Sequence, residues 1–177
     1  MRKIFLDVGA NVGQSIRRFQ KLFEDANDYE IFSFEPHKES TKGFDQLGPN
    51  ITVINKAAWI YNGTVNFFPA GVSPAGSTLL KDKTTWKVSK TPIKIPCVDF
   101  NKWMMKNFKP EDYIILKMNI EGAEYEVLEA LLQSRTLSWV NKLYVSFHFR
   151  KIPSIGPKRH KKLVEAIRAK GHTILKW

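Results

Sequence analysis

Cys97 is the only cysteine among 177 residues, so no internal disulfide can form and a cysteine-built zinc site is excluded. No apolar run approaches the ~20 residues needed to cross a bilayer. Nor does a basic, apolar and cleavable segment open the chain, since Asp7 and Asn11 interrupt its one early apolar stretch. The G-K-[S/T] of a Walker phosphate loop is missing, as are the H-x-x-H and H-E-x-x-H spacings of helical metal sites. Repeats, low-complexity segments and an evident linker are missing too. These absences leave a globular protein expected in the cytoplasm, without membrane insertion and without a metal. Residues 1–177 read as a single domain, standing alone or as one part of a longer chain.

Charge is abundant and lopsided. Lys and Arg number 28 against 17 Asp and Glu, a formal +11, which invites a polyanionic partner. The densest basic run is Lys158-Arg159-His160-Lys161-Lys162, preceded by Arg150 and Lys151, and a looser set comprises Lys81, Lys83, Lys87, Lys90 and Lys94. Most lysines of a globular protein simply face water, so nucleic acid ranks below a small-molecule partner.

Apolar periodicity alternates between 2 and 3.6 residues. Residues 3–6 read as a strand, and Val12, Ile16, Phe19 and Leu22 as the stripe of a helix. Residues 29–34 and 51–54 read as strands, with a weakly patterned helix around 37–47 between them. Asn62-Gly63 signals a hairpin joining 58–61 to 64–68, and residues 69–77 read as loop. Prolines at 92 and 96 place 92–98 on a sheet edge. Asp99 is expected to cap a helix carrying Trp103, Met104 and Phe108. Residues 113–118 are nearly all apolar, as a central parallel strand requires. A helix marked by Ala123, Val127, Leu128, Leu131 and Leu132 follows. Residues 143–149 read as strand, 158–170 as a basic amphipathic helix and 172–176 as a last strand. About five alternations predict a three-layer, doubly wound α/β domain with a mostly parallel sheet.

Asp7-Val8-Gly9-Ala10-Asn11-Val12-Gly13 follows the first strand. A tight turn needs one glycine or two. A ligand loop at a helix N-terminus uses more, because missing side chains let backbone N–H groups approach a small molecule. Asp7 falls where open α/β sheets bind ligands. Glu35 ends the second strand just before Pro36, where a carboxylate can accept from both hydroxyls of a ribose; its plainer use is to cap the segment that follows. The spacing Gly9-x-Asn11-x-Gly13 departs from G-x-G-x-x-G, with a side chain in the crowded central place, so the loop suits a ribose without a pyrophosphate. S-adenosylmethionine fits, its ammonium available to a carboxylate such as Asp7.

Together with this loop and Phe34-Glu35-Pro36, three stretches carry a wider pattern: Asn55-Lys56-Ala57-Ala58, Val98-Asp99-Phe100 and Leu116-Lys117-Met118-Asn119-Ile120-Glu121-Gly122-Ala123-Glu124. In order and spacing over about residues 3–149 the chain resembles the FkbM family of S-adenosylmethionine-dependent O-methyltransferases. The resemblance implies a class I, Rossmann-like sheet, cofactor across its C-terminal strand ends, and methyl transfer to a hydroxyl of a sugar, glycan or similar small molecule. It assigns Asp7, Gly9, Asn11 and Gly13 to the first cofactor motif, Glu35 to the ribose, and Ala57 and Ala58 to the adenine. Two departures stand out. Asn119 occupies a place where the family usually has aspartate, and an amide neither takes a proton nor holds a metal strongly. Of the two strands that normally close the sheet as an antiparallel hairpin only the first is evident, so the last edge strand is expected to be missing.

Methyl transfer to an alcohol needs the oxygen held in line and its proton removed. Asn119, Glu121 and His148 are the candidates at C-terminal strand ends. In Val145-Ser146-Phe147-His148-Phe149, strand alternation puts His148 opposite Phe147, either as a base facing the cleft or as a packed partner of Ser146. Glu121 serves a helix N-terminus or a substrate hydroxyl, and an end-on approach of Lys117 to the site stays open. His37, His160 and His172 read as surface or structural. Gly71, Ser73, Gly76, Ser77 and Thr78 form a cleft-shaping loop, and Trp59, Trp86 and Trp103 offer a face to a sugar or fill the core. Two alternatives remain. An RNA ribose or cap methyltransferase suits the charge, but Asn119 removes the acid of its Lys-Asp-Lys-Glu tetrad. A non-catalytic binding module suits Asn119, but the complete cofactor loop and Glu35 argue against it.

Overall fold

The computed structural model describes residues 1–71, 75–84 and 88–177. Ser73, Trp86 and Lys87, named above, lie outside the described residues. In chain order the strands are β1 (Lys3–Val8), β2 (Tyr29–Phe34), β3 (Ile51–Ile54), β4 (Ala57–Trp59), β5 (Gly63–Phe67), β6 (Ile93–Asp99), β7 (Tyr113–Met118), β8 (Val140–Val145) and β9 (Ile174–Leu175). The helices are α1 (Gln14–Leu22), α2 (Phe100–Asn107), α3 (Glu124–Gln133) and α4 (Gly156–Ala169). The main sheet has the order β3-β2-β1-β7-β8-β9, and every neighbouring pair is parallel. This is the three-layer class I methyltransferase-like architecture anticipated from the alternating pattern.

Strand alternation divides the core. Ile4, Leu6 and Val8 face the layer of α2, α3 and α4, packing with Met104, Leu128 and Leu163. Phe5 and Ile115 face α1, where Ile16 and Phe19 are fully buried. The stripe of α1 is narrower than expected, because Val12 belongs to the loop and is 50% exposed, while Leu22, in the last turn, is 60% exposed. Asp99 does cap α2, its side chain accepting the Lys102 N–H.

Four expectations are corrected. Residues 37–47 form two short 3-10 turns, Lys38–Thr41 and Phe44–Leu47, because Gly43 between them takes a left-handed φ of 85°. Asn62-Gly63 does not close a hairpin: β6 inserts between β4 and β5, and Asn62 instead accepts the Asp99 N–H at 3.1 Å. The proline-flanked strand is therefore central in a small second sheet rather than an edge. Pro96 is tolerated because β4 pairs only with Cys97, Val98 and Asp99, which leaves that side of Pro96 open. Finally, β8 ends at Val145. Ser146 still donates to the Met118 carbonyl, but His148 already lies in a turn closed by Lys151 N–H on its own carbonyl. At the other edge, β9 pairs directly and in parallel with β8 and ends the sheet among the described residues, in keeping with the missing last edge strand.

Candidate active site

The parallel register of β1 on β7 sets Asp7 beside Lys117 and Val8 beside Met118, so the loops after these strands leave the sheet together. The N–H of Asn119 donates to the Val8 carbonyl at 2.9 Å, while Gly9 and Ala10 both donate to Phe34. A Cβ on Gly9 would lie 2.0 Å from the Asn119 carbonyl oxygen, and Gly9 has φ +85°. Only glycine allows this approach. Gly13 does different work: it caps α1 in a left-handed conformation and packs closely on Leu47. Asn11 is also left-handed, with φ 48°.

The cleft over these strand ends is lined by Gly9, Asn11, Glu35, Ala57, Ala58, residues 75–79, Asn119 and Glu121, among others. Glu35 is 9% exposed. Its Oε2 accepts the Asn11 N–H at 2.9 Å and its Oε1 the His37 N–H at 3.0 Å, so it braces the loop while facing the cleft. Burial pushes its carboxyl up from the ordinary value, and the two amides offset this only in part. Ala57 and Ala58 are small and buried, keeping that wall shallow.

Asp7, read above as a partner for a ligand ammonium, is fully buried and has a counter-ion already. Lys117 Nζ donates to Asp7 Oδ1 at 2.9 Å and to the Gly9 carbonyl at 2.7 Å. The strand register dictates this pairing, and it places Asp7 beneath the loop.

At the other end of the cleft the side chain of Asn119 presents a buried Oδ1 without a hydrogen-bond partner among the described residues. Glu121 adopts φ 54°, rare for a residue with a Cβ. Its Oε2 lies 2.6 Å from Lys83 Nζ and its Oε1 3.4 Å from His148 Nε2. Burial raises its carboxyl, but His148 and Lys83 outweigh that and hold it below the ordinary value. His148 Nδ1 lies 3.0 Å from Glu124 Oε1. Glu124 is fully buried and also accepts the N–H groups of Ile120 and Gly122. His148 thus sits behind Glu121 and bonds to Glu124, where a strand position facing the cleft or a bond to Ser146 was expected.

Lys83, Glu124, Thr78 and the cleft-lining Trp177 complete the site. Glu124 stands in the quoted motif, whereas nothing distinguishes Lys83 from the lysines around it in sequence. Thr78 Oγ1 donates to the Glu121 carbonyl at 2.7 Å. Trp103 packs on Phe34 in the core, and Trp59 packs on the small sheet; neither lines the cleft. His160 bonds the Tyr125 hydroxyl and stacks on Phe149, and His37 bonds Ser40. Among the described residues no group of three or more His, Cys, Asp or Glu is arranged to hold a metal ion, and no helix is long and apolar enough to cross a membrane.

Over residues 7–174 the chain matches the Methyltransferase FkbM domain. No curated protein and no solved structure matches it.

Proposed function

The chain belongs to the FkbM methyltransferase family, whose members are S-adenosylmethionine-dependent enzymes, and on that premise we propose that it methylates a hydroxyl of a sugar, glycan or related small molecule. The observation that carries this reading is Glu121 on the cleft wall, with the His148 imidazole 3.4 Å behind it and Glu124 behind the imidazole. When bound, S-adenosylmethionine supplies an electrophilic methyl group on a sulfonium centre. The residues present fit it. Gly9 lets the loop after β1 close on the Asn119 backbone and leaves no side chain of its own at the cleft, Glu35 faces the cleft with lone pairs beyond those given to Asn11 and His37, and the orphaned Asn119 Oδ1 can accept from a ligand donor.

An attacking alcohol must lose its proton as the new O–C bond forms. Glu121 is placed to accept that hydrogen bond and then the proton, with Nε2 of His148 next in line. Glu124 accepts from Nδ1, so Nε2 carries the lone pair when the ring is neutral and an N–H toward Glu121 when it is protonated. The anchors of Glu124, the Ile120 and Gly122 amides, fix the ring in place. General-base help of this kind contributes about 10²–10⁴ in rate, with positioning supplying much of the rest.

The test is methyl-labelled cofactor offered to a panel of sugars and glycans, with short RNA at two salt concentrations as a competitor class. Sugar or glycan labelling, with turnover lowered about 10²–10⁴-fold in Glu121→Gln and His148→Asn and cofactor affinity little changed, supports the reading. Labelling of RNA alone sinks it. The RNA alternative also loses ground at Lys117, whose ammonium is committed to Asp7 and Gly9.

A further inference from the structure

We propose that Lys83 is a positioning residue for the methyl transfer, its buried ammonium joining the Glu121 carboxylate to the Gly76 carbonyl so that acid–base group and cleft-lining segment form one unit. The inference rests on the reading of Glu121 given above. A lysine normally carries its charged end out to water, and burial of an ammonium is costly unless it is paired. The Lys83 side chain is only 1% exposed, and its Nζ is 2.6 Å from Glu121 Oε2 while also donating to the Gly76 carbonyl. Gly76 and its neighbours Ala75, Ser77, Thr78 and Leu79 line the cleft. One ammonium therefore ties a lining segment of the cleft to its carboxylate.

Glu121 is held from several sides, as a residue in a strained backbone conformation must be. Thr78 grips its carbonyl, Lys83 one carboxylate oxygen and His148 the other. The charged or titratable groups facing it are Lys83, His148 and, at longer range, Lys151, with Glu124 behind the imidazole. Lys83 makes the shortest of the described ion pairs to this carboxylate, so its removal must alter both the ionisation of Glu121 and the seating of residues 75–84. A brace with no electrostatic part would alter only the second.

The titration and exchange measurements need no acceptor. Glutamate labelled with ¹³C at the carboxyl reports the titration of Glu121, assigned through Glu121→Gln, in the full chain and its Lys83→Met and Lys83→Arg variants, alongside amide exchange of residues 75–84. In Lys83→Met the Glu121 midpoint should rise by about one to two pH units and exchange in 75–84 should quicken roughly tenfold. Lys83→Arg, which keeps the charge, should hold the midpoint near that of the parent. An unmoved midpoint in folded Lys83→Met overturns the proposal. Should that variant not fold, Glu121→Gln tests the tie from its other end, and unchanged exchange in 75–84 overturns it equally. Failure of the Glu121 reading itself looks different: Glu121→Gln keeps full turnover while the Lys83→Met titration still shifts.

Discussion

Replacing Glu35 with alanine removes an acceptor that serves two backbone N–H groups and also faces the cleft. Each amide left without its partner costs about 1–3 kcal/mol. Because water reaches part of this site, we expect the variant to lose ~2–4 kcal/mol of folding stability. Cofactor affinity should fall separately by about 1.5–3 kcal/mol, roughly ten- to hundredfold, through loss of the charge-assisted bonds to a ribose. pH distinguishes the two effects. Burial raises the Glu35 carboxyl above its unfolded value, so the stability this group contributes is full below the unfolded value, about 4.3, and is lost as pH rises through the folded one. Cofactor binding runs the opposite way. Ribose hydroxyls donate to the ionised carboxylate, so affinity should drop as pH falls through the folded value, and binding there should release a proton. Calorimetry in two buffers of different ionisation heat, paired with urea melts, measures both. Wild-type cofactor affinity in a Glu35→Ala protein that has lost only stability would refute the ribose role and leave Glu35 as a brace for Asn11.

Gly9→Ala should destabilise the fold by at least ~2 kcal/mol in urea melts, because its Cβ would meet the Asn119 carbonyl at 2.0 Å and its φ is +85°. Asp7→Ala should cost about 3–5 kcal/mol by the same assay, since it leaves a buried Lys117 without a counter-charge; an unchanged midpoint would mean that the ammonium has escaped to water. EDTA should leave methyl transfer unchanged, as Asn119 is a poor hard-metal ligand and Glu121 already faces Lys83 and His148. Activity abolished by the chelator and restored by magnesium or manganese would contradict that.

The strands that build the site are legible in sequence for local reasons. Residues 29–34 are mostly apolar with Glu30 and Ser33 interspersed, residues 113–118 are apolar but for Lys117, and they end at Glu35-Pro36 and at Asn119, each too short for a helix of ordinary length. What stayed hidden was decided at a distance. Asn62-Gly63 has the chemistry of a hairpin turn, yet its flanks are parted by β6, which arrives about thirty residues later. The alternation that aimed His148 into the cleft holds only inside a strand. Once β8 ends at Val145, a turn around buried Ile152 sets the imidazole's direction instead. Asp7 was placed correctly at a strand end, but its orientation depended on which residue β7 set beside it. Lys83 carried no local sign at all, since a buried lysine and a solvated one look alike in a lysine-rich stretch.

Two ion pairs therefore bracket the cleft, and each joins segments far apart in the chain. Lys117 and Asp7 meet beneath the loop after β1, and Lys83 and Glu121 meet beside residues 75–79 of the cleft lining. Asn119 lies between them with a buried, unpartnered oxygen. Both neighbouring ammonium groups are committed, Lys117 to Asp7 and Gly9, Lys83 to Glu121 and Gly76. A carboxylate at position 119 would add a negative charge close to Glu121 without a cation of its own, and an unpaired buried charge is far costlier than an unpaired amide oxygen. The asparagine keeps an unpartnered acceptor oxygen on a cleft-lining residue while adding no charge. It cannot take a proton, so in the reaction proposed above that role falls to Glu121, the carboxylate on that wall with an imidazole behind it.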